Sequence, residues 1–154
     1  MIKKILIGLL VVLVLIQFIR VDKTNPPVDP QKDFVVMTNA PTDVVQILKT
    51  ACYDCHSNET IYPWYFDVAP VSWWVKDHVN DGRKHLNFSI WGDYKDKRKT
   101  KKLNECYLEV EDDEMPLSSY TITHGSAKLT VEQKATLVSW LQSIGAEKPE
   151  PKNQ

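Results

Sequence analysis

Cys52 and Cys55, separated by two residues and followed directly by His56 in the stretch ACYDCH (51–56), have the spacing for three chemistries. A dithiol oxidoreductase needs a thiolate stabilised at a helix N-terminus, usually within a βαβ scaffold. Here the expected helix precedes the cysteines, so its dipole opposes a thiolate. A structural zinc site needs four ligands, which Cys52, Cys55, Cys106 and one histidine would supply, but it leaves the position of His56 unexplained. Covalent haem attachment uses all three residues at this spacing. On a helical turn Cys52 and Cys55 face the same way, so each sulfur reaches one of two neighbouring porphyrin vinyl groups. His56, one turn beyond Cys52, then brings an imidazole nitrogen to the iron as proximal ligand. One haem c also accounts for the odd count of three cysteines, leaving Cys106 alone.

The surrounding residue types agree with a large flat cofactor. Tyr62, Trp64, Tyr65, Phe66, Trp73 and Trp74 follow the motif closely, and aromatic rings supply broad apolar walls at small entropic cost. Trp64, Tyr65 and Trp74 are the expected pocket residues, with Arg83 beside them for the propionates. For the sixth iron ligand the chain has two methionines beyond Met1, Met37 and Met115. Met115 lies in DDEMPLSSYTITHG, where Pro116 stiffens the backbone next to the sulfur. A thioether on a stiff loop favours Fe(II) and raises the reduction potential relative to a second imidazole. The rival ligands are His78, His85 and His124. His78 falls on an apolar helical stripe, and His85, between Arg83 and Asn87, belongs to a cluster equally suited to charge-assisted bonds with propionates. His124 follows a loop.

The elements that must carry these residues read as helices. Pro41, Thr42 and Asp43 start a helix whose stripe is Val44, Val45, Ile47, Leu48 and Cys52, which puts the motif at its C-terminal end. APVSWWVKDHVNDG predicts a short helix from Pro70 with Gly82 as its stop. From Lys95 to Glu114 only the second half has a stripe, Leu103, Cys106, Tyr107 and Val110, so the basic run Lys95–Lys102 reads as a solvated extension or loop. Thr130 with Gln133 forms a capping box before a helix that ends at Gly145. No alternating strand run appears. About four helices with long connecting loops are expected, in a haem domain spanning 41–145.

The N-terminus carries Lys3 and Lys4, an apolar run from Ile5 to Ile19 broken only by Gly8 and Gln17, and then Arg20. Fifteen helical residues reach roughly 22 Å, short of a ~30 Å hydrocarbon core, but flanking basic residues can snorkel outward. Without a small-x-small cleavage site the segment 1–20 reads as an uncleaved anchor. The expected placement is single-pass in the inner membrane, with the haem domain on the outer, periplasmic side. Residues 21–40, with Pro26, Pro27 and Pro30, read as an extended tether, and 146–154 as a disordered tail. With 19 basic and 20 acidic residues the net charge is −1, and nothing in it points to nucleic acid.

The run from Cys52 to Trp91, together with DDEMPLSSYTITHGSAKLT, resembles the small bacterial haem-binding domain family of monohaem c-type proteins, over roughly residues 30 to 145. The resemblance implies a mainly α, cytochrome c-like helical domain with haem on Cys52 and Cys55, His56 proximal and the Met-Pro pair distal. Many such domains have two prolines after the methionine, whereas here Pro116 precedes Leu117. The expected fold class is therefore a mainly α, cytochrome c-like domain behind a single membrane helix. The expected function is one-electron transfer with redox partner proteins at the membrane. The alternative is a haem-based sensor or small haem enzyme with an exchangeable distal site. A non-haem thiol or interaction domain is the third reading.

Overall fold

Phe34 explains how the chain closes on itself. Its ring stacks on Phe88 at 5.1 Å between centroids and meets Trp91 at 4.6 Å and Trp140 at 5.6 Å edge-on. Two distant stretches of sequence thus converge on a side chain that is 1% exposed, joining three segments in all. The computed structural model describes residues 1–148, and eight α-helices lie among them: α1 (Ile2–Ile16), α2 (Phe34–Met37), α3 (Thr42–Ala51), α4 (Tyr53–His56), α5 (Val71–His85), α6 (Asp96–Glu111), α7 (Ser118–Thr121) and α8 (Val131–Ser143). Single 3-10 segments cover Pro30–Lys32, Trp64–Asp67, Phe88–Asp93 and Gly125–Ala127. Among the described residues there is no strand.

The core is built from one face each of α3, α6 and α8. α3 contributes Val44, Ile47 and Leu48, α6 contributes Leu103, Tyr107 and Val110, and α8 contributes Leu137, Trp140 and Leu141. α8 packs against both α3 and α6, and α4 packs on α5. The capping box at Thr130 and Gln133 is present, and Gly145 ends α8 with φ +102°, a left-handed value that glycine adopts without cost. The mainly helical architecture is thus observed, but several boundaries differ from those expected. The first helix breaks at Cys52 (φ −126°), so the motif forms its own short turn, α4. Of the two readings of the basic run, the solvated extension is observed and the loop is not, because α6 continues from Asp96 through it; Lys and Arg are good helix formers and the buried stripe further along holds the helix down. α5 does not stop at Gly82 but runs to His85.

The expected membrane helix is corrected. No helix among the described residues is long and apolar enough to cross a membrane, which overturns the anchor, the single-pass inner-membrane placement and the periplasmic assignment built on it. α1 ends at Ile16, and the next residues are held by the domain. Gln17 donates from Nε2 to the Ala69 carbonyl (2.9 Å) and accepts the Ala69 N–H on Oε1 (2.9 Å). Trp73 Nε1 donates to the Ile19 carbonyl at 3.0 Å. These bonds tie residues 17–19 to the segment around Ala69 and Trp73.

The stretch 21–40 lies along the domain. Lys23 pairs with Asp67 at 2.7 Å, Asn25 Nδ2 donates to the Thr60 carbonyl at 2.9 Å, and the Pro27 carbonyl accepts from Asn58 Nδ2 at 3.2 Å. At the other end Ala146 is buried and the Glu147 N–H donates to Asn104 Oδ1 at 2.9 Å. The rest of the expected disordered tail, 149–154, lies outside the described residues. Truncating Phe34→Ala removes the ring shared by these elements. A loss of about 3–5 kcal/mol is expected, read as a fall in urea midpoint at unchanged slope; a loss below about 1 kcal/mol would show that the three segments hold together without it.

Candidate functional site

α4 places Cys52, Cys55 and His56 on a single turn, with the amides of Cys55 and His56 both directed at the Cys52 carbonyl (3.2 and 2.9 Å). The turn is pressed against α5 at Gly82. A Cβ at that position would stand 2.6 Å from the Cys55 carbonyl oxygen and 3.0 Å from its carbon, so only glycine permits the approach. The expected role of Gly82 as a helix stop is thus replaced by close packing. The sequence signal that could have revealed it is the spacing of Ser72, Val79 and Leu86, buried seven residues apart and straddling the glycine.

The approach orients the imidazole. His56 Nδ1 lies 3.0 Å from the Gly82 carbonyl and 3.1 Å from the Leu86 carbonyl. Carbonyl oxygens only accept, so Nδ1 carries the proton and Nε2 keeps its lone pair. Burial pushes the histidine below its ordinary titration range, against the pull of the two carbonyls, and favours the neutral ring that a metal ligand must be. The exit of the turn is held equally firmly. Arg83 Nε donates to the Ser57 carbonyl (2.7 Å), and its Nη2 bonds Asn25 Oδ1 (2.7 Å) and Thr60 Oγ1 (2.8 Å). Asn58 Oδ1 accepts from Asn87 Nδ2 at 2.8 Å, and the Asn58 amide donates to Ser89 Oγ at 3.0 Å. Sequence reasoning missed this buried polar network, since Ser57, Asn58, Asn87 and Ser89 follow no motif.

All three cysteines are free thiols. Burial chiefly, then the Asp54 charge, pushes the Cys55 thiol up to about 11 against the opposing Arg83. Burial, then Cys106 and Cys55, raises Cys52 still further, and burial with Glu109 carries Cys106 to about 12. A dithiol oxidoreductase needs a lowered thiol pKa, so this environment opposes that chemistry. Among the described residues no three His, Cys, Asp or Glu side chains converge to hold a metal ion, which removes the four-ligand zinc arrangement.

The remaining expected residues are distributed as follows. Trp64 is 78% exposed and meets Tyr65 edge-on. Tyr65 is half-buried, with its hydroxyl 3.2 Å from His124 Nε2. Trp74 is half-exposed and pairs with His78, whose Nδ1 donates to the Trp74 carbonyl at 2.9 Å. Arg83 and Asn87 turn inward to the partners above, while His85 at the end of α5 faces solvent, so the three do not converge. Met115 is half-buried on the segment between α6 and α7. Tyr120, on α7, donates its hydroxyl to Asp54 Oδ2 at 2.7 Å and so joins that segment to the attachment turn. Neither Asp54 nor Tyr120 was expected at the site.

The donor set fits a haem. Two unpaired thiols share one turn, an imidazole beside them has its Nε2 uncommitted, and exposed aromatic rings stand on the adjoining segments. A family model described as a haem-binding domain matches residues 11–143. The chain belongs to the haem-binding domain family. No curated protein and no solved structure matches it. Haem binding is thus established at the level of the family, and Cys52, Cys55 and His56 are the residues whose chemistry suits it.

Gly82→Ala gives a test of the close approach in which the sign decides. At an open helical position the substitution stabilises by about 1 kcal/mol, whereas here the clash with Cys55 is expected to cost about 1–3 kcal/mol net. Denaturant unfolding of the haem-free chain reads the sign, and a stabilised variant with normal haem content would remove the argument.

Proposed function

We propose that the chain carries one haem c and works as a one-electron carrier. The observation that carries this reading is the imidazole of His56, held by two carbonyls so that Nε2 is the available nitrogen, on the turn that also presents two free thiols. Cys52 and Cys55 would hold the haem covalently, each sulfur bonded to one vinyl carbon and the thiol proton passed to the other with no oxidant consumed. His56 would serve as the proximal iron ligand and Met115 as the distal one. A haem with both axial positions filled by protein supplies outer-sphere exchange of one electron between Fe(III) and Fe(II). The chain's own contribution is to fix the ring of His56, to shield one face with α5, and to present aromatic surface from Trp64, Tyr65 and Trp74.

The charges of α6 support a redox partner protein as the exchange partner. Lys95, Lys97, Arg98 and Lys101 are exposed at its start, and Glu109, Asp112, Asp113 and Glu114 are exposed at its end beside Met115. Both groups are placed against the helix dipole, which favours anions at the N-terminus and cations at the C-terminus. A cost of this kind is consistent with a surface shaped for encounter.

Protein made with cytochrome maturation machinery is expected to gain the mass of one haem, lose both thiols at 52 and 55, and show a low-spin spectrum that loses its methionine signature in Met115→Ala. Colourless protein with free thiols at both positions would defeat the reading. For the acidic surface, reduced holoprotein is expected to pass its electron faster to the cation hexaammineruthenium(III) at low salt. The rate should fall several-fold as ionic strength rises to 0.5 M, where the Debye length is about 4 Å. A salt-independent rate would show that the surface plays no part in encounter.

A further inference from the structure

The segment bearing Met115 is tied down at both ends. At its start, α6 ends in a turn made by Asp113 with φ +60°, and the amides of Glu114 and Met115 both donate to the Glu109 carbonyl at 2.9 Å. Lys134 holds that turn from α8, with Nζ 2.8 Å from the Glu111 carbonyl and 2.7 Å from Asp113 Oδ1. At its end, the amides of Tyr120 and Thr121 donate to the Leu117 carbonyl at 2.9 and 3.1 Å and close α7. The Tyr120 hydroxyl then crosses to Asp54 Oδ2 at 2.7 Å.

Asp54 is well placed to receive it. It lies inside the motif, between Cys52 and Cys55, and its Oδ1 accepts the Ile61 N–H at 2.9 Å while its backbone carbonyl accepts Thr60 Oγ1 at 2.6 Å. The carboxylate is therefore immobilised by the turn before Tyr120 reaches it. The Tyr120 ring is braced in turn: it stacks on His124 at 4.1 Å between centroids and 19° between planes, and His124 Nε2 meets the Tyr65 hydroxyl at 3.2 Å. Among the described residues the Tyr120–Asp54 bond is the one hydrogen bond between the segment 115–124 and the attachment turn.

We propose that Tyr120 is a positioning residue for the sixth iron ligand: its hydroxyl latches the Met115 segment to the haem-attachment turn through Asp54 and holds the distal site closed to outside ligands. This rests on the haem c reading with Met115 as distal ligand. A latch of one hydrogen bond to a carboxylate is strong enough to shift an open–closed equilibrium about tenfold. An external ligand that binds only the open form then gains the same factor in apparent affinity.

The test titrates ferric, matured holoprotein with imidazole and compares wild type, Met115→Ala, Tyr120→Phe and Val44→Ala. Tyr120→Phe keeps the ring stack on His124 and removes only the hydroxyl. Val44→Ala destabilises the core on α3, where Val44 is 1% exposed, and serves as the control for general loosening. The latch predicts that Tyr120→Phe keeps its haem and binds imidazole about tenfold more tightly, while Val44→Ala stays within twofold of wild type. It also predicts faster amide hydrogen exchange at Tyr120–His124 in Tyr120→Phe, with the core unchanged. If Met115→Ala loses the methionine signature but Tyr120→Phe binds imidazole as wild type does, the latch is wrong and the ligand assignment survives. Equal tightening in Val44→Ala also overturns it. If Met115→Ala looks like wild type, the distal assignment fails and takes the latch with it. Should Tyr120→Phe not mature, Asp54→Ala, which removes the acceptor of the Tyr120 hydroxyl, must tighten imidazole binding in the same way.

Discussion

The contact between the attachment turn and α5 at Gly82 is the constraint from which the site follows. Removing a side chain at one helical position lets two backbones touch, and only at that separation do the Gly82 and Leu86 carbonyls reach His56 Nδ1. A hydrogen bond of this kind selects the tautomer and fixes the ring plane, which an isolated CxxCH turn leaves free to rotate. Which nitrogen of His56 is left free to meet a metal follows from this packing distance.

Holding the turn in place takes a buried polar frame. Arg83 bonds Ser57, Thr60 and Asn25, and Asn58 bonds Asn87, Ser89 and Pro27. Each polar group in such a frame loses water on burial and is stabilised only when its partners are present. The frame therefore converts several weak local preferences into one geometry for the residues after His56. It also binds Asn25 and Pro27, in the stretch that follows α1, to the rest of the domain.

The thiols are kept inert by burial, and the Met115 segment is kept in place by bonds at its two ends. Burial holds the cysteines protonated, a state that resists stray oxidation. Met115 occupies a segment anchored to α6 on one side and to Asp54, within the motif, on the other. The segregated charges of α6 lie at the ends of a helix whose middle is buried, which keeps the acidic end beside Met115 in a constant relation to it.

Much of the site was legible in the sequence because its chemistry is local. Two cysteines and a histidine on one turn need no tertiary contact to be recognised, and the capping box at Thr130 and the stripes of α3, α6 and α8 follow from propensity and periodicity alone, whereas the stripe expected on α5 leaves Val71 and Trp74 exposed and buries only Val79. What local pattern misjudged were positions where a neighbour reverses the preference. Gly82 reads as a stop until Cys55 is placed against it, and the basic start of α6 reads equally as a solvated extension or a loop until Leu103 and Tyr107 hold the helix down and decide for the extension. The N-terminal run has the composition of a span, yet Gln17 and Ile19 spend their polar groups on Ala69 and Trp73, more than fifty residues away in sequence. Residue types and short spacings determined which cofactor the chain suits. Only the tertiary structure decided helix lengths, the tautomer of His56 and the partner of Tyr120, because each depends on hydrogen bonds or close contacts between segments that no local pattern encodes.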